Sequence, residues 1–171
     1  SDVCSSDLVV DASSDEVVFS SGATEADNLA LIGLAAGLRK AGRLHIITTA
    51  QEHKAVLEPL EHLALNGFEV TIVNPGSDGR LEPDRIRRAL RTDTGLVSVM
   101  HVNNETGVVQ PLAELSDALA DHPAYLHVDA AQGYGKQLPP LRNQRIDLIS
   151  ISGHKVYGPK GVGALINRKR E

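Results

Sequence analysis

The chain has 171 residues, 42% of them apolar and 23% charged, which suits one soluble globular domain and leaves little room for two. Lys and Arg number 17 against 22 Asp and Glu, a net charge of -5, and no basic block or aromatic-interleaved stripe points to nucleic acid. No apolar run approaches the roughly 20 residues of a membrane span, the N-terminus lacks a secretory pattern, and the single cysteine excludes an internal disulfide framework and a Cys-rich zinc site.

A reducing, cytoplasmic setting is therefore expected, with no membrane or nucleic-acid partner. Aromatic residues make up only 3%, so the core must be aliphatic, as in a buried, mostly parallel sheet covered by helices. Val17-Val18-Phe19 reads as a short strand ending at Ser20-Ser21-Gly22. From Thr24 to about Lys40 the positions Leu29, Ile32, Gly33 and Ala36 recur at helical spacing, and Gly42 stops that helix. Residues 44–48 read as a buried strand. A helical stretch follows over 55–66, with Pro59 predicted to break it into a turn and a later helix. Residues 68–73 form the next strand, and Asn74-Pro75-Gly76-Ser77-Asp78-Gly79 is turn chemistry.

Pro83 opens a basic helix to Arg91, 96–100 is a strand, and Pro111 opens a helix to about Ala120. Strands follow at 124–128, 146–150 and 163–166. The last is expected to leave a sheet edge without a covering helix. The β-α alternation predicts an α/β domain with a largely parallel sheet.

Ligands of such sheets bind past the carboxyl ends of the strands. The segments there are Ser21-Gly22-Ala23-Thr24, Gln51-Glu52-His53, His101-Val102-Asn103-Asn104-Glu105, Asp129-Ala130-Ala131-Gln132 and Ser152-Gly153-His154-Lys155. Each has two readings. Ser21–Thr24 can offer a helix N-terminus to a phosphate, or Thr24 and Asp27 can form a capping box. Lys155 can be a solvated turn residue or a Schiff-base amine. Asp129 can be a cap, or can face a pyridine nitrogen and keep it protonated. His53 can pack at the surface, or stack on a ring and relay a proton. Gly153 and Gly158 have P-loop spacing, but Pro159-Lys160 follows, so a nucleotide P-loop is rejected. The histidines show no metal-binding spacing, and no metal site is expected.

Taken together, Phe19–Asn28, Glu52–Leu57, Met100–Val108, His127–Gln132 and Ser150–Leu165 resemble cysteine desulfurases of the NifS/IscS type, in the class V aminotransferase group of fold-type I pyridoxal phosphate (PLP) enzymes. The resemblance runs from about residue 9 to the end. It implies the large domain of that fold, a three-layer α/β/α sandwich with a mostly parallel sheet. It also implies PLP as cofactor, L-cysteine as substrate, a homodimer, and a sulfur-acceptor or scaffold protein serving iron–sulfur cluster or thio-cofactor synthesis. By position, Lys155 would bind PLP as a Schiff base and Asp129 would pair with the pyridine nitrogen. Gln132 would bond the phenolic oxygen, and His53 would lie over the ring and assist proton transfer. Ala23, Thr24, Ser152 and His154 would hold the phosphate, and Asn104 would contact cofactor or substrate.

Family members are much longer chains. Residues 1–8 match nothing in the family and read as an artefactual stretch, leaving 9–171 as a partial large domain without the C-terminal domain. The loop cysteine that accepts sulfur and the arginine that grips the substrate carboxylate are expected in that domain. Cys4 is not assigned the sulfur-acceptor role, and these 171 residues alone are expected not to complete the sulfur-transfer cycle. The alternatives are another class V enzyme (a selenocysteine lyase or small-amino-acid aminotransferase), a catalytically inactive truncated fragment, or a sugar- or nucleotide-binding module.

Overall fold

The computed structural model describes residues 10–156 and 161–169, apart from the side chains of His154 and Val156. Its strands are β1 (Val17–Ser20), β2 (His45–Thr49), β3 (Glu69–Val73), β4 (Thr94–Met100), β5 (Tyr125–Asp129), β6 (Leu148–Ser152) and β7 (Gly163–Asn167). The α-helices are α1 (Ala23–Lys40), α2 (Lys54–Leu65), α3 (Pro83–Ala89) and α4 (Leu112–Ala118). The strands make one seven-stranded sheet in the order β1-β7-β6-β5-β4-β2-β3. The pairs from β3 through β6 are parallel, whereas β7 runs antiparallel to both β6 and β1.

Strand periodicity builds three layers. Successive side chains point to opposite faces, so Ile46 and Leu96 pack with Leu31 and Leu38 of α1 and Val56, Leu60 and Leu63 of α2. Their neighbours Ile47 and Val97 face the other way, with Val99, Leu126 and Val128, onto Ile86 of α3 and Leu112 and Leu115 of α4. Each fully buried Leu or Ile contributes on the order of 1.5–3 kcal/mol. That sum offsets the cost of desolvating a sheet covered on both faces. The α/β/α sandwich with a mostly parallel sheet is thus the fold.

Several local expectations are overturned. Pro59 does not divide α2, which is continuous from Lys54 to Leu65. Pro59 is itself buried, and Val56, Leu60 and Leu63 dock on the sheet side, so packing outweighs the lost backbone bond. The inward face of α1 is not the predicted set. Ala26, Ala30, Leu31 and Leu38 are buried, while Leu29 and Ile32 are exposed, as are Gly33 and Ala36. Thr24 and Asp27 form no capping box, because the helix begins one residue earlier with Gly22 as its N-cap and no side-chain cap. Finally, β7 is not an edge: it lies between β6 and β1.

Candidate functional site

Because β1 and β6 are both antiparallel to β7, they run the same way. The carboxyl ends of β1, β2, β4, β5 and β6 therefore share one rim. A cavity of about 610 Å³ opens there. Of the residues singled out from sequence, Ala23, Thr24, His53, Asn104, Asp129, Gln132, Ser152 and Lys155 all line it. The side chain of His154 lies outside the described residues, as do Cys4 and Pro159-Lys160.

One wall is the start of α1. The first helical bond there runs from the Ala26 N–H to the Gly22 carbonyl at 3.1 Å, and the first turn has no side-chain cap. An uncapped helix start is a ready anion site, through its free N–H groups and the helix dipole. Two glycines bring it in: a Cβ on Gly163 of β7 would lie only 2.6 Å from the Gly22 Cα, an approach that only glycine permits.

The floor comes from β5. Asp129 is buried, and its Oδ1 accepts from the Ala131 N–H at 2.9 Å. Burial, and then the nearby Asp27 carboxylate, raise its pKa above the usual carboxylate range. Two residues earlier, on the same strand face, His127 is fully buried between two hydroxyls. Ser98 Oγ lies 2.8 Å from its Nδ1 and Ser150 Oγ 2.9 Å from its Nε2. Asp27, reaching down from α1, is also fully buried and lines the cavity. Its Oδ1 stands 3.4 Å from His127 Nε2, and neither Asp27 oxygen accepts a hydrogen bond.

The β2 and β4 ends form the remaining polar wall. His53 is the N-cap of α2, and its Nδ1 accepts from the Ala55 N–H at 3.1 Å. That contact leaves Nε2 as the nitrogen available to a ligand. The buried Glu52 ties the two strand ends together, accepting at Oε1 from Thr49 Oγ1 at 2.6 Å and the Met100 N–H at 2.9 Å. Burial pushes its pKa up to about 8, so it is neutral at pH 7. Buried Asn103 accepts the N–H groups of Glu105 at 2.9 Å and Thr106 at 2.8 Å, which shapes the loop presenting Asn104. His53 and Asn104 also line a second cavity of about 560 Å³.

Lys155 comes from a single 3-10 turn, Gly153–Val156, directly after β6. The Gly153 N–H donates to the Val162 carbonyl at 2.8 Å, which pins this turn to the start of β7. The Lys155 side chain is exposed. The arrangement can hold an anion at the α1 rim and a cationic group at the carboxylate floor, with Lys155 lining the same cavity.

Three residues of this site, Asp27, Glu52 and Asn103, carry no site role in the sequence analysis. Asp27 sits three and four residues before the buried Ala30 and Leu31, so correct helical spacing would have placed it inside. Glu52 and Asn103 stand beside residues already singled out, and no sequence signal marks their burial.

A class-V aminotransferase profile matches residues 7–171. The chain belongs to the class-V aminotransferase family. The resemblance to cysteine desulfurases also holds. The chain is 50% identical over 155 residues to the cysteine desulfurase IscS of Vibrio cholerae serotype O1, covering 91% of this chain and 38% of that protein. Among solved structures, DndA from Streptomyces lividans shares 60% identity with a TM-score of 0.92, over 95% of this chain and 45% of that one. SspA, solved in complex with cysteine, shares 40% identity with a TM-score of 0.87, over 95% of this chain and 47% of that one. The chain thus spans less than half the length of each.

Proposed function

We propose that residues 9–171 form the PLP-binding large domain of a cysteine desulfurase, which takes sulfur from L-cysteine, leaves L-alanine, and passes the sulfur to an acceptor protein. The single observation that carries this reading is the convergence of Lys155, Asp129, His53, Gln132 and the uncapped α1 start on one cavity. Its donor set suits PLP: an amine for the aldehyde, a buried carboxylate for the ring N–H, and free helix N–H groups for the phosphate. When bound, PLP supplies an electron sink for the substrate's Cα.

This chain's own residues do the rest. Lys155 carries the cofactor. Asp129 holds the ring N–H, with Ala131 fixing its orientation. Gln132 bonds the phenolic oxygen. Ala23, Thr24, Ser152 and His154 hold the phosphate. His53 offers Nε2 as the group that moves a proton, because its Nδ1 is engaged by Ala55. Asn104 closes the substrate side.

The cysteine-bound SspA neighbour supports L-cysteine as substrate. The outward-facing Leu29 and Ile32 support burial against a second copy in a homodimer. Among the described residues no helix is long and apolar enough to cross a membrane. The test is spectroscopic. After incubation with PLP and desalting, the chain is expected to retain visible absorbance that changes when L-cysteine is added. Retained absorbance that L-cysteine leaves unchanged would refute the substrate, and no retained absorbance would refute the site.

A further inference from the structure

The floor of the cavity holds more carboxyl groups than the reading above uses. Asp129 accounts for one ring N–H. Asp27 is a second carboxyl group on the same cavity, contributed by α1, wholly buried and with neither oxygen accepting a hydrogen bond. An ionised carboxylate out of water and without a hydrogen bond is costly unless a positive charge compensates it. The protein compensates it poorly. His127 Nε2 stands 3.4 Å away and is already engaged by Ser150 Oγ at 2.9 Å.

The other titratable groups around Asp27 come from four parts of the fold. From α1 the other is Glu25, whose Oε2 takes the Ser21 N–H at 2.6 Å. From the β2–α2 connection come Glu52, held neutral by burial, and His53, which caps α2. From β5 come His127 and Asp129, and from the turn after β6 comes Lys155 at the cavity wall. Asp27 and Asp129 each raise the pKa of Glu52, and Asp27 raises that of Asp129, so the acids share one buried field. The cavity therefore sets its buried carboxyl groups at the floor opposite the positive end of the α1 dipole at the rim.

We infer that Asp27 is a positioning residue of the site, a second buried carboxylate beside Asp129 that strengthens the hold on a ligand carrying a cationic ring N–H. It touches none of the reacting atoms. Its field acts alongside Asp129, with His127 and the Ser98 and Ser150 hydroxyls fixing the floor around it. The inference rests on the PLP reading above and deepens it: the site selects the ring nitrogen and its proton as well as the phosphate.

The experiment compares two ligands on the same chain: PLP, and 1-deaza-PLP, in which a C–H replaces the ring nitrogen. Dissociation constants are measured by ultrafiltration for wild type and Asp27→Asn. The near-isosteric amide removes the charge and keeps the volume. The expected result is about tenfold weaker PLP binding in Asp27→Asn, with 1-deaza-PLP binding unchanged. An equal loss for both ligands would show a merely structural role and overturn the inference, as would unchanged PLP binding. If wild type binds neither ligand, both this inference and the PLP reading fall. If it binds both and Asp27→Asn changes neither, only this inference falls. Should Asp27→Asn not fold, the carboxyl carbon of Asp27 is followed by ¹³C NMR in wild type. It is expected to shift on loading with PLP and not with 1-deaza-PLP. A resonance that moves equally with both, or with neither, would overturn the inference.

Discussion

Gly163→Ala is the sharpest mechanical test of how the fold presents its site. A Cβ at residue 163 would lie 2.6 Å from Gly22 Cα, 2.7 Å from Gly22 C and 2.7 Å from the Ile151 carbonyl oxygen, where ordinary contact is 3.4–4 Å. All of these are backbone atoms in β6 and at the α1 N-cap, so no side chain can turn aside. The chain must move either β7 away from β6 or the start of α1 away from the sheet. Overpacking of this kind costs about 3 kcal/mol, the upper end of the usual range, which for a domain of this size lowers Tm by roughly 6–12 °C. Phosphate-dependent ligand binding should fall in parallel, because the α1 start is displaced from the cavity. The matched control is Gly33→Ala on the exposed face of α1, where an added Cβ meets nothing within 4 Å. There the same substitution should stabilise by about 0.5–1 kcal/mol, since helical glycine carries an entropic penalty. Thermal melts by circular dichroism read both. If Gly163→Ala melts with wild type and binds PLP equally, the proposed contact between β7 and the start of α1 is wrong.

Two further perturbations address buried polar groups. Arg168 is buried and donates to the carbonyls of Val10, Leu141, Asn143 and Ile146. Arg168→Met should cost about 3 kcal/mol or more in guanidinium unfolding, since it strands buried acceptors, and a midpoint equal to wild type would refute this. Glu52→Gln tests the neutral buried acid. Its folded pKa of about 8 exceeds the ordinary 4.5, so the folded state binds the extra proton in that window. Wild-type stability should therefore fall relative to Glu52→Gln as pH rises from 4.5 to 8, and the difference should be flat outside it. Parallel curves across the window would show that Glu52 ionises normally.

Much of this architecture is legible in the sequence because its strands are short segments rich in Val, Ile and Leu bounded by turn chemistry. Residues 45–49, 94–100, 126–129 and 148–152 are buried on both faces, so aliphatic side chains there are interrupted only by buried groups such as Thr48, Ser98, His127 and Ser150. The chemistry past those strands is legible for a related reason: polar and Gly-rich segments at strand ends stand out against such runs. What was misread depends on contacts between elements. Leu29 and Ile32 are apolar and helically spaced, yet the sheet chooses the face of Ala26, Ala30 and Leu31, whose small residues let α1 lie close. Asp27 on that face looks like a cap until the fold shows Gly22 in that place. Pro59 looks like a breaker until its burial is counted. The antiparallel β7 could not be read from composition, because strand direction leaves no mark on a five-residue apolar run.

The central claim is that Lys155 carries PLP in a cavity whose floor is Asp129. The most direct test is to incubate the chain with PLP, reduce it with borohydride, digest it and locate the modified lysine by mass spectrometry. The account predicts a pyridoxyl phosphate group on Lys155, absent from Lys155→Ala and much reduced in Asp129→Ala. Label spread over surface lysines such as Lys54 and Lys136, and unchanged by either substitution, would contradict it.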